Sequence, residues 1–304
     1  MDKAQLAEDL RKAVPGLCLR IDEPMCNHTS FRIGGPADLM IWPTSIGEVQ
    51  QVLKFLKCRG VPVYIMGNGS NLLVRDGGFR GVILKLAENF SRITVEGTRL
   101  QAQVGASLAK LANAACQAGL GGLEFASGIP GTLGGAIAMN AGAYGGEMAD
   151  VLQEVTCCDL EGNLYHFGLE DLELGYRTSR VRSQGYIALE AVLQLVPEEL
   201  AVIRAKMHEL NKRRREKQPL SFPSAGSTFK RPPGHYAGKL IDDAGLRGFT
   251  HGRAQVSEQH CGFIINLGGA TAKEVLELIE IVRQRVWEKF QVRLELEVQV
   301  IGED

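Results

Sequence analysis

The stretch from Ser127 to Gly146, SGIPGTLGGAIAMNAGAYGG, holds seven glycines in twenty residues and no charged side chain. Glycine at that density gives up conformational entropy on folding. The backbone there must turn sharply or come very close to something, with N–H groups free to face an anion. Its apolar residues Ile129, Leu133, Ile137, Met139 and Tyr144 keep no helical or strand period for long, and a flexible linker would be rich in Ser, Pro and charge instead. A second glycine-rich loop, Gly67-Asn68-Gly69-Ser70-Asn71, follows the apolar run Val63 to Met66. It is not a dinucleotide fingerprint: that motif needs glycine at 72, where Leu72 stands, and Leu72-Leu73-Val74 continues as strand rather than helix. No P-loop motif occurs. The basic run Lys212, Arg213, Arg214, Arg215 and Lys217 suits equally a cationic helix end or an anion site.

The elements that must position these loops are legible from periodicity and punctuation. A first helix carries Leu6, Leu10 and Val14. A capping box at Ser45-Ile46-Gly47-Glu48 opens a helix with Val49, Val52, Leu53 and Leu56 on one face, and Gly60 ends it. Between Val82 and Val104, short alternating runs with glycine turns at 81, 97 and 105 predict antiparallel strands. Ser107 caps a helix that runs to Gly119 and delivers the chain into the long glycine-rich stretch. Strands return from Val151 to Val196, with GYRTSR (175–180) between two of them. Pro197-Glu198-Glu199 is a helix start with acids in its first turn. A turn-rich segment at 224–239 leads to a helix capped by Thr271 and bearing Val275, Ile279, Val282 and Val286. The closing strand alternates Leu294, Leu296, Val298 and Val300 with Glu295, Glu297 and Gln299.

Size and composition bound the rest. The chain has 304 residues, 45% hydrophobic and 23% charged, which suits an ordinary globular protein of about two domains. A net charge of −1 provides no global field for nucleic acid or an anionic membrane, and no run approaches the length of a membrane span. The charged, helical N-terminal pattern is not a targeting segment, so a cytoplasmic protein is expected. Seven scattered cysteines without CxxC spacing are expected as reduced thiols, and the six histidines offer no metal-ligand spacing, so no metal is expected.

Taken together and in order, NHTSFRIGGPA (27–37), IMGNGSNLLV (65–74), the stretch 127–146, GYRTS (175–179), PSAGSTFK (223–230), GHYAGKLID (234–242), AQVSEQHCGFIIN (254–266) and the terminal LELEVQV resemble the UDP-N-acetylenolpyruvoylglucosamine reductases. The resemblance covers nearly the whole chain. It implies an α+β fold: a two-lobed FAD-binding region of the vanillyl-alcohol oxidase (PCMH) type at 1–196, with lobes about 1–88 and 89–196 and a core about 31–196, then an α+β substrate-binding domain at 197–304. It implies FAD held by Arg32, by Gly67, Asn68, Gly69, Ser70, Asn71 and Leu72, and by Ser127, Gly128, Ile129, Pro130, Thr132, Gly134, Gly135, Asn140 and Gly142. NADPH would be the reductant and UDP-N-acetylglucosamine enolpyruvate the substrate, in peptidoglycan precursor synthesis, and a monomer is expected.

The implied reaction reduces an enol ether C=C next to a carboxylate. Hydride reaches the distal carbon, charge develops on the carboxylate, and the adjacent carbon needs a proton. By resemblance, Arg177 and Glu297 meet that charge and Ser227 supplies the proton, with Tyr176 and Lys230 as substrate contacts. Taken alone, each has a plainer reading: Arg177 as a strand-end arginine, Glu297 as a solvated strand residue, Ser227 as a turn hydroxyl. No nucleophile elbow surrounds Ser227. The chain lacks the extra Tyr-bearing loop of one branch of the family, and Arg231 and Arg253 stand where many relatives have Asn and Gly. Two other classes remain. A flavin oxidase would share the first two glycine-rich loops but lack AGSTFK and the terminal glutamate strand; a non-redox UDP-sugar-binding regulator would carry no flavin.

Overall fold

The computed structural model describes residues 2–304. The chain forms two compact units, and neither is a single stretch of sequence. The first holds residues 2–21, Leu39–Asn68 and Gly81–Arg214; the second holds Asp22–Asp38, Gly69–Arg80 and Arg215–Asp304. Each unit is thus assembled from three separate segments of the chain. Non-local contacts, which no local pattern encodes, draw residues 22–38 and 69–80 to the later part of the chain: Leu72–Val74 pairs with Gln299–Ile301, and the Asn266 amide donates to the Phe31 carbonyl at 3.0 Å.

A four-stranded sheet runs in the order Cys18–Pro24, Pro36–Trp42, Phe79–Lys85, Val63–Met66. A five-stranded antiparallel sheet has the order Leu164–Gly168, Leu152–Cys158, Ile187–Gln194, Arg99–Gln103, Ile93–Glu96. One continuous core joins the two lobes expected from the sequence: Leu39, Ile41, Val82 and Leu84 cluster with Leu100, Val155, Ile137 and Leu189. Ser45 caps Ile46–Cys58 as expected, accepting from the Glu48 N–H at 3.2 Å. The reciprocal half of the box is displaced by one residue, because the Glu48 carboxylate accepts from the Thr44 N–H at 2.7 Å and from its hydroxyl at 3.0 Å.

The second unit packs the helices Ala237–Asp243 and Ala272–Phe290 with a four-stranded sheet ordered Ser224–Ser227, Phe263–Asn266, Ala254–Val256, Thr250–His251. The helical stripe Val275, Leu278, Ile279, Val282, Val286 is buried with Ile264, Val256, Phe31 and Leu73. The capping box at Thr271 is complete, with Thr271 accepting from the Glu274 N–H and the Glu274 side chain accepting from the Thr271 N–H.

Four local expectations are corrected. Val82 and its neighbours, expected in an antiparallel run, lie in Phe79–Lys85 and pair in parallel with Val63–Met66. Pro197 does not begin a helix: Val196–Pro197 pairs with Leu120–Gly121, and the helix starts at Leu200. The glycine-rich stretch contains a seven-residue helix, Leu133–Met139, although Gly134 and Gly135 each disfavour it by about 1 kcal/mol relative to alanine. Burial of Leu133, Ala136 and Ile137 offsets that cost. The closing strand is only Gln299–Ile301, paired in parallel with Leu72–Val74. Leu294 and Val298 are buried as the alternation requires, but period two reports only an extended backbone with two faces. A ladder also needs a partner, and at 294–298 the partner is a lone bridge between Leu296 and Phe229.

Candidate functional site

In the first unit Gly67 comes against Thr132 of the long glycine-rich stretch. A Cβ on Gly67 would overlap the Thr132 hydroxyl, so this glycine is required by close approach rather than by its φ. Thr132, 2% exposed, is the N-cap residue of Leu133–Met139. The first helical N–H groups are partly taken: Leu133 donates to the Ala106 carbonyl and Gly134 to the Val104 carbonyl, both at 2.9 Å. The N–H groups of Gly131, Thr132 and Gly135, and of Asn68, Gly69 and Ser70 in the other loop, find no acceptor among the described residues. Backbone donors left open within a glycine-rich loop are suited to facing an anion. Ser127 and Gly128 have a different task. The Asn211 amide donates to the Ser127 hydroxyl at 3.1 Å, and a Cβ on Gly128 would press on Asn211 and on Arg214 Cδ, so these residues seat the loop on the helix Leu200–Lys217. Ile129 packs against the core, and its N–H donates to Ala126. Gly142 lies in a small antiparallel pair, Gly142–Ala143 with Gly146–Glu147, where a Cβ would strike Glu147.

The GYRTS segment is fastened to the end of that glycine-rich stretch. Gly175 and Thr178 exchange backbone hydrogen bonds of 3.1 and 3.2 Å, which puts Tyr176 and Arg177 at the tip of a tight turn. Asn140, 1% exposed and itself left-handed at φ +40°, accepts from the Ala149 N–H at 3.0 Å and donates to the Gly175 carbonyl at 3.4 Å. The Ser179 hydroxyl donates to the Ala138 carbonyl at 3.0 Å. Arg177 adopts φ +57°, a left-handed conformation that costs a side-chain-bearing residue of order 1–3 kcal/mol and persists only where neighbours over-determine it. Its guanidinium lies 5.2 Å from the centre of the exposed Tyr176 ring.

In the second unit, Ser227 and Glu297 are brought to adjacent backbone segments. Glu297 donates its N–H to the Thr228 carbonyl at 2.9 Å, and Lys230 donates to the Glu295 carbonyl at 2.8 Å. Asn71 donates its amide to the Glu297 carbonyl at 3.1 Å, so part of the GNGSN loop is tied to the glutamate's backbone. Ser227 sits at a bulge after Gly226, whose φ of +77° demands glycine. Its half-buried hydroxyl makes no hydrogen bond with any described residue. The Lys230 ammonium is 3.2 Å from Glu295, a surface pair. Arg32 is exposed, with φ +55°, between buried Phe31 and Ile33. Leu72 belongs to the strand Leu72–Val74 and is 3% exposed, so its contribution is its backbone. Arg177 falls in the first unit, whereas Ser227, Lys230 and Glu297 fall in the second.

The structure also singles out a residue that the sequence left undivided within the basic run. Arg213 pairs with Glu209, and Gln259 donates to the carbonyls of Arg215 and Glu216 at 3.1 and 2.9 Å, but Arg214 has no ion pair among the described residues. Burial pushes its guanidinium below the ordinary arginine value, with Tyr144 acting in the opposite direction. The signal was available: Asn211 and Arg214 are three apart, on the helix face that carries Ile203, Met207 and Leu210. Among the described residues there is no cluster of three or more candidate metal ligands, and no helix is long and apolar enough to cross a membrane.

Residues 218–301 match the family model for the UDP-N-acetylenolpyruvoylglucosamine reductase C-terminal domain, and residues 37–168 match that for an FAD binding domain. The UDP-N-acetylenolpyruvoylglucosamine reductase of Alkaliphilus oremlandii is 51% identical over 304 residues, covering 100% of both chains. That of Clostridioides difficile is 52% identical over 286 residues, 94% of each chain. The crystal structure of the Thermus caldophilus enzyme superimposes with a TM-score of 0.80 at 36% identity, covering 94% of this chain and 99% of that one. An FAD binding domain model followed by the C-terminal domain model, on an α+β framework with relatives matched end to end, leaves one assignment: the chain belongs to the UDP-N-acetylenolpyruvoylglucosamine reductase family.

Proposed function

We propose that this chain reduces the enolpyruvyl C=C of UDP-N-acetylglucosamine enolpyruvate to give UDP-N-acetylmuramate, as a cytoplasmic monomer. FAD is the cofactor and NADPH the reductant, in peptidoglycan precursor synthesis. The bound flavin supplies a two-electron carrier able to take hydride from NADPH and deliver it to the distal carbon of the double bond. The loops fit such a group. The open N–H donors at 68–70, 131, 132 and 135 suit a pyrophosphate, and Gly67 keeps its approach to Thr132 clear. Arg32, Leu72, Asn140 and Gly142 complete the proposed cradle. Gly67→Ala is expected to lower the flavin content of the purified protein, because the new methyl must displace Thr132; the absorbance ratio of flavin to protein measures it.

The remaining steps belong to the chain's own side chains. Arg177 pairs with the substrate carboxylate through its planar fork and stays charged throughout. Glu297 serves the growing carboxylate charge as a hydrogen-bond donor, and so in its protonated form. Ser227 donates the proton to the carbon next to the carboxylate, while Tyr176 and Lys230 contact the substrate. The observation that carries this reading is the Ser227 hydroxyl, half-buried, without a hydrogen-bond partner among the described residues and one residue from the backbone contact with Glu297. An anaerobic visible spectrum tests it. The flavin band should bleach with NADPH and return on addition of the enolpyruvyl UDP-sugar; a protein that neither contains nor takes up FAD, or whose reduced band does not return, would refute it.

A further inference from the structure

We propose that Arg182 is a positioning residue for Arg177, holding the strained turn so that the Arg177 guanidinium is presented to the substrate carboxylate. The inference rests on the reading of Arg177 given above. Arg182 lies in the four-residue helix Arg180–Ser183, which Ser179 caps. The Ser179 hydroxyl accepts from the Arg182 N–H at 3.3 Å, which fixes the start of the Arg182 side chain. At the other end one nitrogen, Nη1, donates to the Arg177 carbonyl at 2.9 Å and contacts the Met139 sulfur at 3.1 Å.

Met139 is the last residue of the short helix in the glycine-rich stretch, so Arg182 joins that helix to the tip of the GYRTS turn. Tyr64 is also near: burial raises its phenol, and the charge of Arg182 acts against that rise. The carbonyl of Arg177 belongs to the left-handed residue itself, so a contact there restrains the backbone at the turn tip. A charge-assisted hydrogen bond to it holds the conformation that a side-chain-bearing residue otherwise avoids. Gly175, Thr178 and Asn140 hold the base of the turn, and Arg182 holds the Arg177 carbonyl at its tip.

The experiment compares the affinities of the flavin-loaded protein for UDP-N-acetylmuramate, which bears the carboxylate, and for UDP-N-acetylglucosamine, which does not, by calorimetry. Arg182→Ala should reduce the ratio of the two affinities roughly 10- to 100-fold, the size of one lost charge-assisted interaction, with the affinity for UDP-N-acetylglucosamine unchanged. Arg182→Lys, which keeps the charge and one donor, should recover part of the ratio. If the alanine variant does not fold, Arg182→Gln carries the same expectation of a lowered ratio. A ratio within about twofold of the parent, or an equal fall in both affinities, would overturn the positioning role. Arg177→Ala separates the two ideas: if it lowers the ratio and Arg182→Ala does not, only the role of Arg182 fails; if Arg177→Ala leaves the ratio intact, the reading of Arg177 fails first.

Discussion

Replacing Ser227 by alanine is expected to leave reduction of the flavin by NADPH at the parent rate while slowing reoxidation by the enolpyruvyl substrate ~10²–10⁴-fold, the range for loss of a positioned acid. The separation follows from where the proton is used. Hydride transfer from NADPH involves no proton at the substrate's carbon, whereas saturation of the double bond is incomplete until that carbon is protonated. The hydroxyl makes no hydrogen bond with the described residues, so its removal leaves no protein group newly unsatisfied. Stopped-flow absorbance of the two half-reactions measures both rates. Equal slowing of both, or a near-normal reoxidation rate, would remove Ser227 from the role of acid. Cysteine at 227 should restore part of the rate, since its thiol occupies the same position and is the stronger acid.

The second large effect is expected at Arg177. Arg177→Lys should lower kcat/KM at least ~10²-fold, because an ammonium cannot present the two parallel donors that a carboxylate accepts and that strengthen as charge develops. Arg177→Gly should be equally inactive but no less stable than the parent. Glycine is at ease at φ +57°, and release of the left-handed strain is worth about 1 kcal/mol, which offsets the lost packing on Tyr176. Steady-state kinetics set beside thermal unfolding midpoints of the two variants decide the point. A glycine variant that unfolds several degrees earlier would show that the side chain, not the turn, is the structural element. A lysine variant of near-parent efficiency would refute the bidentate role.

Much of the site was legible because its signals are local. Ser107 and Thr271 cap the helices that the sequence assigns to them, and Val63–Met66 is a strand that feeds GNGSN. Gly128, Gly142 and Gly146 do mark close approach, and Gly145 a turn at φ +89°. The short helix in that stretch was not legible, since Gly134 and Gly135 argue against helix and only burial of Leu133 and Ile137 decides otherwise. Arg214 went unresolved because a basic run looks uniform until the helix face against Gly128 is known.

By itself, the sequence determined the family and the chemical vocabulary: two glycine-rich loops, an arginine turn, a serine after glycine and a late glutamate, each written in neighbouring residues. Tertiary structure alone decided how those pieces are held. It gave Arg32, Asn140 and Arg177 their left-handed backbones, tied GYRTS to Asn140 and Ala138, and set Glu297 beside Thr228 through a parallel pairing of 299–301 with 72–74. Local patterns report the preferences of a few adjacent residues. The pairing of distant strands, and a backbone conformation that its own residue disfavours, depend on contacts that exist only once the chain has closed on itself.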